Sequence, residues 1–186
     1  MSRALLLGPA VLLAAALMSP ATSAQKLEVI TTGGAGGMNA DGTAIAGSIH
    51  TQGAFVWDYV LEPLPPMRDG VGIAANGYVA GNTDDDAVFS EGAVWDLNVW
   101  NPLGSLGAGG CGASLSSATG MSEDGTIVGL GWDGCSALPY KWTQGGGMVA
   151  LPLLGTSGRA DCISHDGTTI GGHDTLSNRW RACLWD

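Results

Sequence analysis

The chain has 186 residues, the length of one ordinary domain. Hydrophobic residues make up 45% of it and charged residues only 13%, which excludes a solvated, disordered chain. Its 31 glycines and 8 prolines disfavour helix interiors, so a helical bundle is excluded as well. The net charge of -10 repels nucleic-acid phosphates and anionic lipid headgroups, and neither is an expected partner.

Residues 1–24 have the pattern of a secretory signal peptide. Arg3 supplies a positive start, an apolar run follows over residues 4–18, and small residues lead to a cleavage site after Ala24. The run is about 15 residues long, short of the roughly 20 that a membrane-spanning helix needs. We therefore expect a secreted, extracellular or cell-surface protein, with the periplasm as the alternative. Its mature domain, residues 25–186, is expected to contain no membrane span.

A short segment that ends in Asp-Gly or Asn-Gly recurs four times in the mature chain. The copies are Gly37–Gly42, Gly72–Gly77, Gly120–Gly125 and Cys162–Gly167. Asp-Gly and Asn-Gly supply the positive φ angles that tight hairpin turns require. Each copy continues into a short apolar run closed by glycine, which is too short for a helix and suits a strand.

A strand-like segment that ends in tryptophan follows each turn. The four tryptophans are Trp57, Trp95, Trp142 and Trp185, separated by 38, 47 and 43 residues. A tryptophan at the same place in every unit can fill the space between stacked sheets. A leucine-containing strand follows the first three tryptophans. One unit is therefore about four short strands in some 40 residues, the size of a propeller blade.

These repeats predict an all-β protein of about four four-stranded units with a β-propeller-like arrangement. The units lie near residues 33–66, 67–107, 108–155 and 156–186. The fourth unit lacks a leucine strand, whereas the strand-like run Lys26–Ile30 precedes the first unit. We expect this N-terminal strand to complete the fourth unit and close a ring, which would remove open sheet edges. An open stack and a fragment of a longer array are the alternatives.

The repeated unit resembles the HAF repeats of bacterial extracellular proteins. The best matches are the segments Gly53-Ala54-Phe55-Val56-Trp57 and Leu103-Gly104-Ser105-Leu106-Gly107. The resemblance covers residues 33–186 and implies an exported bacterial protein, in some cases a cell-surface passenger. No general activity and no catalytic residue come with it. The chain departs from the pattern in its small number of copies and in the cysteines within its units.

The four cysteines are expected to form disulfides. All of them lie in the mature part of the chain, and an even number in an exported protein favours bridges. We favour Cys111 with Cys135 and Cys162 with Cys183, because each pair brackets one repeat. A zinc site is the alternative, although the sequence contains no CxxC spacing.

Motifs for catalysis are weak. Ser164-His165-Asp166 contains the residue types of a hydrolase triad, but adjacent residues in a hairpin turn cannot converge as a triad does. Gly107–Gly112 matches a dinucleotide-binding pattern, yet no helix follows that could hold a pyrophosphate, so we interpret it as a linker. We therefore predict no catalytic residues, no resident metal and no cofactor.

Two groups of residues are weak candidates for ligand binding. Asp84, Asp85 and Asp86 form the densest acidic run, where oxygen-rich loops can bind calcium, although a solvated loop is the simpler interpretation. Trp100 and Trp132 lie outside the repeated tryptophan position and are candidate stacking platforms for a sugar; packing onto their own unit is the alternative.

The sequence favours a non-enzymatic binding module whose unknown ligand, an extracellular glycan or protein, is held by loops on a rigid scaffold. A carbohydrate-active enzyme is the first alternative, and it would need two carboxylates roughly 5 to 9.5 Å apart across a sugar. A purely structural segment of a larger surface protein is the second.

Overall fold

The computed structural model describes residues 27–65, 69–83, 91–107, 109–110 and 115–186. The proposed signal peptide, Asp84–Asp86 and Cys111 lie outside these residues. Within the described ranges the secondary-structure elements are strands, grouped into four sheets. The prediction of an all-β fold is therefore confirmed.

The first two units each form a four-stranded antiparallel sheet in chain order. Unit one contains β1 (Gly33–Met38), β2 (Ile45–Ile49), β3 (Gly53–Trp57) and β4 (Leu61–Pro63). Unit two contains β5 (Asp69–Ile73), β6 (Val79–Asn82), β7 (Gly92–Trp95) and β8 (Trp100–Pro102).

Units three and four differ from this pattern at their edges. Unit three contains β9 (Gly109–Gly110), β10 (Ser116–Met121), β11 (Ile127–Gly134), β12 (Ser136–Thr143) and β13 (Gly147–Ala150), and the short β9 pairs in parallel with β11. Unit four contains only β14 (Gly158–Ile163), β15 (Ile170–Leu176) and β16 (Arg179–Trp185). One edge of β16 therefore has no strand partner among the described residues.

The prediction that Lys26–Ile30 form a strand is wrong for residues 27–30, the part of this segment that the structure describes. Residues 27–30 lie in no strand, and the side chains of Leu27 and Val29 are 91% and 81% exposed. The segment runs instead beside unit one, where the Thr32 carbonyl accepts a hydrogen bond from the His50 amide at 3.0 Å. Extensive contacts between sheets join neighbouring units in chain order, and none joins unit four to unit one within the described ranges. The sheets thus form an open series there.

The four repeated turns share one hydrogen-bond arrangement, which explains why Asp or Asn precedes glycine. In each turn the side-chain Oδ1 accepts a hydrogen bond from the amide two residues later. The acceptors are Asp41, Asn76, Asp124 and Asp166, with donor distances of 3.0, 3.0, 3.1 and 3.1 Å. The glycine that follows has a φ between 72° and 84°, a conformation that other residues adopt rarely.

A bulge recurs in the strand that leads into the repeated turn of every unit, namely β1, β5, β10 and β14, and in unit one it lies against unit two. The extra residue lies between Ala35 and Gly37 in unit one and at equivalent places in the other units. A Cβ atom on Gly36 would lie 2.0 Å from the Gly70 carbonyl oxygen of unit two. Glycine is required at this bulge because two backbones pass too closely for any side chain.

Each interface between neighbouring units repeats one packing pattern. In units two to four, three cross-strand partners from three successive antiparallel strands face the preceding unit, and the third partner is the repeated tryptophan. We call these three residues the facing triplet. The triplets are Ile73, Val79 and Trp95 in unit two, Met121, Ile127 and Trp142 in unit three, and Ile163, Ile170 and Trp185 in unit four. They pack respectively near Ala46 on β2, Ala80 on β6 and Val128 on β11 of the preceding unit.

One buried amide strengthens the interface between units two and three. The Asn82 side chain accepts a hydrogen bond from the Ala118 amide at 2.7 Å and donates one to the Ala118 carbonyl at 3.1 Å. It also donates to the Asp69 carboxylate at 3.0 Å. Asn82 and Ala118 are only 6% and 2% exposed. The amide therefore pairs with the neighbouring unit as a strand backbone would.

Candidate binding surface

The four repeated turns converge at one end of the sheet series, around Glu123. The Ala75 amide of unit two donates to the Glu123 carbonyl at 3.3 Å, and the Glu123 amide donates to the His165 carbonyl of unit four at 2.8 Å. The Glu123 carboxylate accepts a hydrogen bond from the Ala40 amide of unit one. All four residues hold the same position in the repeated segment. We call this surface the turn end.

A histidine and a glutamate from neighbouring units lie side by side at the turn end. His165 Nδ1 lies 3.6 Å from Glu123 Oε1, with the histidine side chain 58% exposed and the glutamate 23% exposed. The neighbouring Ser164 hydroxyl donates to Asp166 Oδ1 at 2.5 Å, and the same oxygen accepts from the Thr168 amide. Ser164 and Asp166 thus stabilise their own turn, and the three consecutive residues form no triad.

A cleft of about 340 Å³ opens at the turn end between units two and three. Its polar walls come from the repeated turns of both units, from β8 and the turn before it in unit two, and from the turn after β12 in unit three. Tyr78 and Trp142 add aromatic surface. The polar lining residues include Asn76, Asp96, Asn101, Asp124, Thr126 and Gln144. Amides, carboxylates and aromatic rings in one concave site suit a ligand rich in hydroxyl groups.

The two carboxylates of the cleft are ionised and hold local structure. Hydrogen bonds from the Val99 amide and the Asn101 side chain lower the pKa of Asp96. The hydroxyl of Ser122, which lies 2.5 Å from Asp124 Oδ1, lowers the pKa of Asp124 despite its partial burial. Neither carboxylate is therefore arranged to carry a proton at neutral pH.

The two candidate tryptophans lie in strands rather than in loops. Trp100 is half-buried in β8, where its ring contacts Trp95 at 5.7 Å and its indole donates to the Pro65 carbonyl at 3.3 Å. Trp132 is half-buried in β11, and its amide donates to the Leu115 carbonyl. Neither lines the cleft. Their role in sugar binding stays a prediction, and the calcium candidates Asp84, Asp85 and Asp86 lie outside the described residues.

The predicted bridge between Cys162 and Cys183 is wrong, because both are free thiols. Cys162 lies on β14 opposite Gly171, and Cys183 lies on β16 opposite Gly172, so β15 separates them. Two strand spacings of about 4.8 Å exceed the reach of a disulfide. Cys135 is disulfide-bonded, whereas Cys111 lies outside the described residues, so their pairing stays a prediction.

Sequence reasoning missed a polar and aromatic cluster on unit four. The His173 and Trp180 rings stack with centroids 4.7 Å apart, and His173 Nδ1 lies 3.1 Å from Asp161 Oδ2. Burial works against the charge of Asp161, but hydrogen bonds from His173 and Arg159 outweigh it and lower the pKa of Asp161. Trp180 is 77% exposed. The only signal in the sequence was its position outside the repeated tryptophan series.

No protein-family model matches the chain, and no curated protein sequence matches it significantly. Solved structures do match. TolB from Acinetobacter baumannii superposes with a TM-score of 0.60 and 17% identity, over 81% of this chain and 40% of that one. A putative TolB from Agrobacterium tumefaciens gives a TM-score of 0.54 and 14% identity, over 82% of this chain and 57% of that one. This chain is similar in fold to TolB.

The TolB likeness concerns architecture, since identity is low and the chain spans less than two thirds of either neighbour. What the likeness supports is an all-β fold built from a series of antiparallel sheets. Among the described residues, no helix has the length and apolarity to cross a bilayer. Within the same ranges, no three His, Cys, Asp or Glu residues group as metal ligands would.

Proposed function

We propose that this chain is an exported, non-enzymatic binding module of the cell surface, the extracellular space or the periplasm. The positive start, apolar middle and small-residue end of residues 1–24 support export. The HAF-like repeats agree with the same location. The TolB-like sheets supply a rigid scaffold, on which turns and loops carry the ligand site.

The cleft between units two and three carries this proposal. Its amides and carboxylates can accept and donate several hydrogen bonds, and Tyr78 and Trp142 offer apolar ring surface. The side chain of Gln144 is exposed at the rim of the cleft. The net charge of -10 disfavours an acidic ligand. The ligand class that fits is a neutral glycan, with a polar protein segment as the alternative.

The state of the cleft carboxylates favours binding over catalysis. A glycosidase keeps one carboxyl protonated as a general acid, usually by raising its pKa. The hydrogen bonds around Asp96 and Asp124 lower the pKa of each group instead. Both side chains also hold turns in place, so neither can move to act as a general acid without loss of local structure.

The test is a thermal-shift screen of the exported chain, under oxidising conditions, with neutral oligosaccharides and with calcium. A glycan at 100 times its dissociation constant should stabilise the fold by about 2.7 kcal/mol. Gln144→Ala should weaken this shift, whereas the control Gln52→Ala, in an exposed turn of unit one, should leave it unchanged. A single cooperative melt that no glycan moves would overturn the proposal. Hydrolysis of a bound glycan would support the enzyme alternative.

A further inference from the structure

We propose that the chain associates head to tail, with unit one of one copy packed against the exposed outer face of unit four of another. The face of unit four at issue carries Leu184 and Trp180, and that of unit one carries Met38, Ile45 and Trp57. Contact between these two faces would repeat the packing pattern of the three interfaces within the chain.

The outer face of unit four is equivalent to faces that are covered elsewhere in the chain. Leu184 lies opposite Gly171 in the strand pairing of unit four. The equivalent residues are Val56, opposite Ala46 in unit one, and Val94, opposite Ala80 in unit two. Val56 packs in the interface between units one and two, and Val94 is buried against unit three. Leu184, by contrast, is 74% exposed. Unit four therefore presents a unit-packing face without its cover.

Unit one presents the complementary face. Met38, Ile45 and Trp57 are cross-strand partners in the same register as the facing triplets of units two to four. Met38 is 52% exposed, whereas its counterparts Ile73 and Met121 are 4% and 8% exposed. In units two to four such a triplet always packs on the preceding unit. The triplet of unit one thus has the residue types of a facing triplet. Within the described residues no preceding unit covers it.

The segment before unit one does not block this face. Residues 28–31 line a groove beside Ile45 and Phe55, as the linker between units three and four runs beside the facing triplet of unit four. The backbone contact is also equivalent: the Thr32 carbonyl accepts from His50, and the Ser157 carbonyl accepts from Thr175. In unit four this linker and the preceding unit share one face. In the same way, residues 28–31 and unit four of a second copy can share one face of unit one.

Charge favours this orientation over contact between two copies of the same face. The described part of unit one, residues 27–65, contains four acidic residues and no Lys or Arg. On unit four, Arg159 lies on the exposed face, because its strand partner His173 stacks on Trp180. Arg179 and Arg181 alternate with Trp180 along β16 and lie on the opposite face. Opposite charges across an interface speed association and suppress wrong pairings. Unlike faces, which differ in charge, generate a heterologous interface.

Two variants test the proposal: Leu184→Asp on unit four and Met38→Asp on unit one. Light scattering after size-exclusion chromatography should show association of the exported wild-type chain as its concentration rises. Each variant should remain a monomer, because a buried anchor replaced by a charge weakens binding by at least about thirtyfold. Leu97→Asp, in an exposed turn of unit two, should associate like the wild type. Circular dichroism melts should show that all variants fold.

Mixing the two variants distinguishes head-to-tail association from other contacts. Each variant keeps one intact face, so an equimolar mixture should form a dimer and nothing larger. A wild-type chain that stays monomeric at every concentration would overturn the proposal. So would self-association of Met38→Asp alone, which would mean that unit four pairs with itself. Thermal-shift results with glycans are independent of these outcomes.

Discussion

Removal of the Asn82 side chain should weaken the interface between units two and three. In Asn82→Ala the amide and carbonyl of Ala118, which are buried, lose the partners that now lie 2.7 and 3.1 Å away. Ser117 and Asp69 lose hydrogen bonds of 3.2 and 3.0 Å to the same side chain. An unpaired buried polar group costs about 1–3 kcal/mol, so two of them predict a loss of roughly 2–6 kcal/mol. That is a large share of the stability of an ordinary domain.

Urea unfolding monitored by tryptophan fluorescence measures this loss. The midpoint should fall, and the transition should broaden, because an array of units loses cooperativity when one interface is weakened. Asn98→Ala is the matched control: this asparagine is exposed in a turn of unit two, and its replacement should change stability by less than about 0.5 kcal/mol. If Asn82→Ala unfolded within about 0.5 kcal/mol of the wild type, the amide would not hold the units together.

Three further changes are informative. Gly36→Ala places a methyl group 2.0 Å from the Gly70 carbonyl and should lower the free energy of unfolding by about 1–3 kcal/mol, whereas Gly145→Ala, with no atom within 4 Å, should be neutral in the same urea assay. Tyr140→Phe removes a buried hydroxyl that has no hydrogen-bond partner and whose pKa is raised by burial. Calorimetry should therefore show unchanged or higher stability. A clear loss of stability would mean that the hydroxyl is hydrogen-bonded. Hydrogen bonds lower the pKa of Asp124 in the folded protein, so the ionised carboxylate stabilises the fold. This stabilisation is complete above the unfolded pKa of about 4 and is lost as the pH falls through the lower folded pKa. The melting temperatures of Asp124→Asn and wild type should therefore converge in acid.

Features set by neighbouring residues were predictable from the sequence. The Asp-Gly and Asn-Gly turns depend on a side chain two residues from its donor and on one positive φ, which are local properties. The short apolar runs between them favour strands for the same local reason. The all-β class and the four repeats follow from these patterns. Nothing in them indicated the convergence of four turns on Glu123, because those contacts join residues far apart in sequence.

Only the tertiary structure decided how Cys162 and Cys183, residues 27–30 and the cleft are arranged. Sequence position places Cys162 and Cys183 at the two sides of one repeat, but strand pairing inserts β15 between them. The strand-like residues 27–30 lie beside unit one, because their pairing depends on a distant edge and not on their own apolar character. The cleft at Asp96 and Trp142 likewise requires two units to meet. Composition determines which residues can form strands; the packing between sheets determines which of them face a neighbour and which face solvent.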